Sequence, residues 1–132
     1  MPKELFWLTL TVAMTGLLWI PYILDRFATQ GIMPTLDNPR ANAPPQSNWA
    51  RRLMAAHYNA LENLAIFAPL VLTVHVLNAY SGATAFACAL YFWSRLAHAI
   101  IYTAGFPIAR TLAFAGGVVA QVILVLEIFN WI

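Results

Sequence analysis

The sequence predicts an all-α protein, an integral membrane bundle of four antiparallel helices joined by short turns and one Pro-rich loop. Hydrophobic residues make up 61% of the 132-residue chain, and charged residues only 9%. A soluble domain usually carries about 25% charged and about 45–50% apolar residues. A helix needs about 20 apolar residues to cross a bilayer, so the chain has material for four spans and little else. This composition excludes a separate soluble domain, a nucleic-acid-binding module and a disordered regulator.

The first predicted helix covers residues 3–28 and contains Pro21. A signal peptide is the competing interpretation, because Lys3 precedes the apolar run. The run is too long for a signal-peptide core, however, and no cleavage site of small residues follows it. We therefore expect a retained span that is kinked at Pro21.

A polar segment at residues 29–47 separates the first helix from the rest of the chain. Four prolines exclude a helix there, which predicts the one long loop of the protein. These prolines are Pro34, Pro39, Pro44 and Pro45.

The remaining chain divides into three further helices, all within a single domain at 1–132. They are predicted to cover residues 48–79, 83–104 and 107–131. Ser47 or Asn48 is expected to cap the start of the second helix. Gly105 is expected to end the third helix, and Pro107 suits the first turn of the fourth.

The distribution of arginines predicts the orientation in the membrane. Lys and Arg concentrate on the cytoplasmic side of membrane proteins. Five arginines lie around the long loop or beside the turn at the same end of the bundle, whereas Lys3 is the only Lys or Arg at the opposite end. We therefore expect a cytoplasmic loop and both termini on the outer side. The five are Arg26, Arg40, Arg51, Arg52 and Arg110.

Polar residues within the predicted spans indicate a functional site. An ionisable side chain inside a span costs about 2.5–3.5 kcal/mol even on the lenient insertion scale, so its presence suggests a function. Each of two helices carries such residues along one face. Arg110 at the start of the fourth helix and Arg26 at the end of the first fall at the same cytoplasmic level. The stripes are Arg52, Asn59 and Glu62 on the second helix, and Arg95, His98 and Tyr102 on the third.

These side chains suit a small zwitterionic ligand with more than one carboxylate. Guanidinium groups bind carboxylates through paired hydrogen bonds, and Glu62 offers the opposite charge for an ammonium group. A second, apolar substrate could enter from the surrounding lipid. The alternative is structural: Glu62 and Arg95 could pair across two helices and fix their register.

No metal site is predicted. His57 and His98 lack partners at ligand spacing on one helix face, and Cys88 is the only cysteine, which also excludes an internal disulfide. We interpret Cys88 as a small packing residue and His75 as a helix–helix contact.

The sequence resembles a known family, the membrane-associated proteins in eicosanoid and glutathione metabolism (MAPEG). The resemblance covers essentially the whole chain and is closest to the short bacterial branch. Three features carry it: the segment Ala56 to Asn63, the pattern Arg95-x-x-His98-x-x-x-Tyr102, and Arg110 soon after a turn.

The resemblance implies a homotrimer that binds glutathione as co-substrate between subunits near the cytoplasmic face. It implies a transferase or peroxidase acting on lipophilic electrophiles in a bacterial inner membrane, with Arg110 holding the glutathione thiolate. It also implies which residues contact glutathione. These are Arg26, Arg52, Asn59, Glu62, Arg95, His98 and Tyr102.

Three positions depart from the eicosanoid enzymes that the sequence resembles. Ala55 and Tyr58 stand where arginines are expected, and Phe114 stands where a tyrosine is expected. A dedicated eicosanoid synthase is therefore not expected.

Two other classes of protein stay open beside the enzyme. A non-catalytic, lipid-binding or scaffolding member of the family would share the bundle. A small transporter would need polar residues through the outer half of the spans, where only His75 and Glu127 lie.

Overall fold

The computed structural model describes residues 1–132 and contains six helices. Four helical segments are long and apolar enough to cross a membrane, the first of them formed by α1 and α2 together. The predicted four-helix bundle is confirmed, and the chain is an integral membrane protein. The helices are α1 (Lys3–Leu17), α2 (Trp19–Gln30), α3 (Ile32–Leu36), α4 (Asn48–Val76), α5 (Gly82–Ala104) and α6 (Pro107–Ile128).

The first span is interrupted at Leu18, between α1 and α2. Pro21 has no N–H to bond the carbonyl of Leu17, and its ring clashes with that carbonyl. At the interruption, the backbone N–H of Leu18 bonds the carbonyl of Thr15, three residues earlier, at 3.4 Å. The span that we expected to kink at Pro21 is therefore interrupted three residues before it.

The prediction that prolines exclude any helix from the loop was wrong. Residues Ile32–Leu36 form the short helix α3, which contains Pro34. Pro34 is the third residue of this helix, and the first turn of a helix leaves its N–H groups without intrahelical partners. A proline there loses no hydrogen bond, so one helical turn is tolerated.

Two spans end earlier than the sequence predicted, at Val76 instead of residue 79 and at Ile128 instead of residue 131. Asn78 and Asn130 lie just beyond these ends with φ of 53° and 56°. Asparagine tolerates this left-handed conformation, which terminates a helix. Gly105 ends α5 with φ of 93° and Pro107 begins α6, both as predicted.

Helix α5 packs against α1, α4 and α6, and the apolar core lies among these four helices. Phe67 of α4 and Tyr91 of α5 stack at its centre, with ring centroids 3.6 Å apart. Because the spans alternate in direction, residues 31–47 and the α5–α6 turn share one end of the bundle, here called the loop end. Both chain termini and the α4–α5 turn lie at the opposite, terminal end.

The long loop is fastened to the first span by Asp25. This buried carboxylate accepts hydrogen bonds from the backbone N–H of Ser47, at 3.0 Å, and from the Ser47 hydroxyl. Ser47 occupies the N-cap position of α4, but its side chain forms no capping hydrogen bond. The serine expected to cap α4 therefore joins α4 to α2 instead.

Candidate functional site

An open cavity of about 380 Å³ lies at the loop end, between the start of α4, the end of α5 and the start of α6. Three of its lining residues are arginines, so the cavity is strongly cationic. Three of the residues predicted for the site, Arg52, Tyr102 and Arg110, meet here although they belong to three different helices. The lining residues are Asn48, Arg51, Arg52, Ala55, Tyr102 and Arg110.

Arg52 is anchored to the end of α5. Its Nε donates a hydrogen bond to the backbone carbonyl of Thr103, at 2.9 Å. The last carbonyls of a helix lack intrahelical partners and carry partial negative charge, so a guanidinium is favourable there. One edge of the guanidinium is thus held by the protein, which fixes the direction of the remaining N–H groups.

Arg110 lies over the ring of Tyr102, with its guanidinium carbon 4.2 Å from the ring centroid. A guanidinium stacked on an aromatic face is attracted electrostatically and is restricted in orientation. The N–H groups at the edge of a stacked guanidinium stay available to a ligand in the cavity. Tyr102 therefore positions Arg110.

A second polar group lies deeper in the bundle, around Arg95. Arg95 is only 2% exposed, and its Nη2 donates to Oδ1 of Asn59 at 2.6 Å. The Nδ1 of His98 lies 3.5 Å from the same nitrogen. Arg95 Nε and Nη1 are buried without a partner, and unsatisfied buried donors carry a desolvation cost.

The ion pair considered between Glu62 and Arg95 is not formed. Arg95 bonds the amide oxygen of Asn59, one helical turn before Glu62. Glu62 is exposed near the middle of α4, on the outside of the bundle. Asn59 and Glu62 therefore do not share one contact surface. Asn59 faces α5, whereas Glu62 faces the outside of the bundle.

Arg26 lies apart from the other predicted residues. It lines a separate cavity formed by α2, α3 and the loop, and its Nε and Nη2 both donate to Oε1 of Gln46, at 3.2 Å. Within one chain the predicted site thus forms two neighbouring groups, one around Arg110 and one around Arg95, with Arg26 and Glu62 outside both.

The polar interior is larger than the sequence predicted. Gln121 of α6 is buried and donates to the backbone carbonyl of Asn63 at 3.3 Å, and the hydroxyl of Tyr91 is buried without a partner. His57 shares a 2.7 Å hydrogen bond with the hydroxyl of Tyr22. A lone glutamine in the otherwise apolar α6 run was the available signal, since polar residues in spans commonly join helices.

At the terminal end, buried Glu4 accepts a 2.6 Å hydrogen bond from Thr84, and Glu127 accepts one from Ser81 at 2.8 Å. These contacts join α1 and α6 to the start of α5. Glu127 thus makes a contact within the chain, at the end of the bundle opposite the cationic cavity.

These features define a four-helix integral membrane protein with a cationic polar site at one end. The sequence profile of the MAPEG family matches residues 5–130, nearly the whole chain. The chain belongs to this family. No curated protein and no solved structure matches it.

Proposed function

We propose that the protein is a glutathione-dependent transferase or peroxidase acting on lipophilic electrophiles. The observation that carries the proposal is the cavity in which Arg52, Tyr102 and Arg110 converge from three helices. Family membership supports the same class of reaction. Arg51 and Arg52 suit the carboxylates of a peptide, and Arg110 is the cation assigned to its thiolate.

The chemistry required of Arg110 is electrostatic. A free thiol has a pKa of about 8.5, so only a few per cent is ionised at neutral pH, and the thiolate is the nucleophile. A cation that lowers this pKa by two units supplies about 2.7 kcal/mol. The stacked guanidinium of Arg110 is held in place before the thiol arrives, which lowers the cost of orienting it.

The electrophile is expected to come from the bilayer. Phe106, Ile108 and Leu112 are all more than 60% exposed around the start of α6, and they line an apolar surface depression next to Arg110. A lipophilic substrate that partitions into the membrane would reach the thiolate along this surface. Arg110 lines the polar cavity and directly follows Ala109, which lines the apolar surface.

We further propose a homotrimer in a bacterial inner membrane, with the loop end cytoplasmic. Exposed Glu62 supports association of copies, because a carboxylate facing lipid near the middle of a span is costly. A neighbouring subunit would cover it, together with glutathione bound between subunits. The arginines around the loop end support the orientation.

A titration of the detergent-purified protein with glutathione, followed by thiolate absorbance in the ultraviolet, tests the proposed enzyme. The wild type should give a saturable thiolate signal. With Arg110→Ala, the bound thiol returns toward its ordinary pKa, and the signal at pH 7 should fall roughly twentyfold. Arg110→Lys should keep part of the signal, because the charge remains.

Lys3→Ala is the matched control, since it removes one cation from the terminal end. It should leave the thiolate signal unchanged. An undiminished signal in Arg110→Ala would assign the thiolate to another group. Absence of glutathione binding in the wild type would exclude the proposed reaction.

One observation favours a non-catalytic member of the family as the second candidate. Ala55 lines the cationic cavity at the position where the related eicosanoid enzymes are expected to carry another arginine. The cavity thus offers one cation fewer for glutathione. Retention of lipid without any thiolate signal would support this alternative.

A further inference from the structure

A second cavity, of about 290 Å³, opens at the loop end between α2, α3 and the loop, apart from the cavity that holds Arg110. We propose that it binds the phosphodiester headgroup of an anionic glycerophospholipid, with α3 resting on the acyl-chain boundary. The inference is independent of the proposed glutathione chemistry.

The charge of this cavity suits a single negative charge. Two guanidinium groups, from Arg26 and Arg40, and one carboxylate, from Asp37, line it, which leaves one positive charge in excess. A phosphodiester carries one negative charge, and guanidinium groups bind phosphate oxygens through paired hydrogen bonds. Asp37 would disfavour a ligand with a second negative charge.

The walls of the cavity are held by hydrogen bonds within the chain. Gln46 accepts from Arg26 and donates to the backbone carbonyl of Tyr22 at 2.8 Å. Gln30 donates to the carbonyl of Pro44 at 2.8 Å. Arg26 is therefore oriented before a ligand binds, and the end of the loop is tied to α2 at Pro44 and Gln46.

The depth of the cavity places it among lipid headgroups. The first span contains 28 residues, which corresponds to about 42 Å at 1.5 Å per residue. A bilayer is about 30 Å thick across its hydrocarbon and about 40–45 Å with its headgroups. The last turn of α2 thus lies at the headgroup level, and Arg26, one turn before the end of α2, lies at the boundary between the hydrocarbon and the headgroups.

Helix α3 carries an apolar face beside this cavity. Ile32, Met33 and Leu36 are 62%, 75% and 70% exposed, and their spacing places them on one side of the short helix. Three large apolar side chains at the headgroup level are best covered by acyl chains. Thr35, on the other side of α3, lines the cavity.

The test measures lipid retention by the delipidated full-length protein in detergent, using native mass spectrometry. The probes are dioctanoyl phosphatidylglycerol, dioctanoyl phosphatidylcholine and glycerophosphoglycerol. The last of these is phosphatidylglycerol without its acyl chains. We expect retention of phosphatidylglycerol, and about tenfold weaker retention by Arg40→Gln, which loses a charge-assisted contact. Arg40 is exposed, so this variant should fold, which circular dichroism checks.

Arg51→Gln is the matched control, because it removes an exposed arginine from the other cavity at the same end of the bundle. It should retain phosphatidylglycerol as the wild type does. Loss in Arg51→Gln but not in Arg40→Gln would move the lipid to the cavity of Arg110 and overturn the proposal. Equal retention of phosphatidylcholine by the wild type would overturn the preference for an anionic lipid.

A variant of α3 separates a lipid from a free phosphodiester. Leu36→Ser should weaken retention of phosphatidylglycerol severalfold and leave binding of glycerophosphoglycerol unchanged, since only the lipid has acyl chains to contact α3. If the free headgroup binds the wild type as tightly as the lipid does, the site is one for a soluble phosphodiester and α3 has no part in it.

Discussion

The guanidinium of Arg95 is a costly group in the interior of the bundle. It is buried with one strong hydrogen bond, to Asn59, and two donors without partners. A buried charge that loses its partner is usually destabilising, whereas a well-packed apolar replacement of the same charge is often neutral. The contact with Asn59 is therefore worth more for stability than Arg95 itself.

We predict that Asn59→Ala destabilises the protein by about 1–3 kcal/mol, because it leaves the buried Nη2 of Arg95 with only the long 3.5 Å contact to Nδ1 of His98. Reversible unfolding in mixed micelles, measured by circular dichroism without glutathione, gives the free energy of unfolding.

The double variant Asn59→Ala/Arg95→Met is the control for this prediction. It should recover most of the lost stability, since no charge is left buried. An equal loss in the single and double variants would show that Asn59 acts through packing alone. Glutathione binding is expected to be weakened in both.

The direction in which Glu62 faces could not be predicted from residue spacing. Its position on the stripe of Arg52 and Asn59 was readable from the sequence, but three residues with this spacing span a wide arc of the helix surface. The structure turns Asn59 toward Arg95 and Glu62 away from it. Only the rotation of α4 against α5, which depends on packing, decides this.

At the scale of elements, the helix ends follow local chemistry. Gly105 correctly predicted the end of α5, because glycine adopts the left-handed conformation freely. Pro107 correctly predicted the start of α6, because proline has a fixed φ that suits the first turn of a helix. Asn78 and Asn130 end helices by the same left-handed conformation, yet asparagine does so only sometimes. Asparagine is therefore a weaker signal for a helix end, and the predicted ends of α4 and α6 each lay three residues beyond the observed ends.

We predict that Asn78→Ala lowers the free energy of unfolding by about 1 kcal/mol, since alanine pays the steric cost of a left-handed backbone. Asn78→Gly is the control and should be at least as stable as the wild type, because glycine adopts this conformation freely. Chemical unfolding in micelles compares the three proteins. Equal stability of all three would mean that the helix end frays and bears no strain.

The fate of the loop could not be predicted from its composition. Four prolines indicated the absence of regular structure, but the structure contains α3 and a set of side-chain bonds from Asp25, Gln30 and Gln46. These bonds join residues about 14–24 positions apart. Local sequence does not specify such pairings, because they depend on how the loop folds back on α2.

At the scale of the molecule, hydrophobicity alone was sufficient for the fold class. Four apolar runs with short connections permit few arrangements, since every backbone polar group in lipid must be bonded within its helix. The convergence of Arg52, Tyr102 and Arg110 at one end followed from the alternating directions of the spans. Their separation from Arg26 did not, because it depends on the folded loop.

The remaining whole-molecule prediction concerns orientation, and single cysteines can test it. Cys88 is fully buried, so it need not be removed before labelling. In intact spheroplasts, a membrane-impermeant maleimide should label Ile132→Cys at the terminal end, because positive charge holds the opposite end in the cytoplasm. Asn42→Cys, in the exposed part of the loop, should react only after the membrane is disrupted. Labelling of Asn42→Cys in intact spheroplasts, with Ile132→Cys protected, would place the arginine-rich cavities outside, where cytoplasmic glutathione could not reach them.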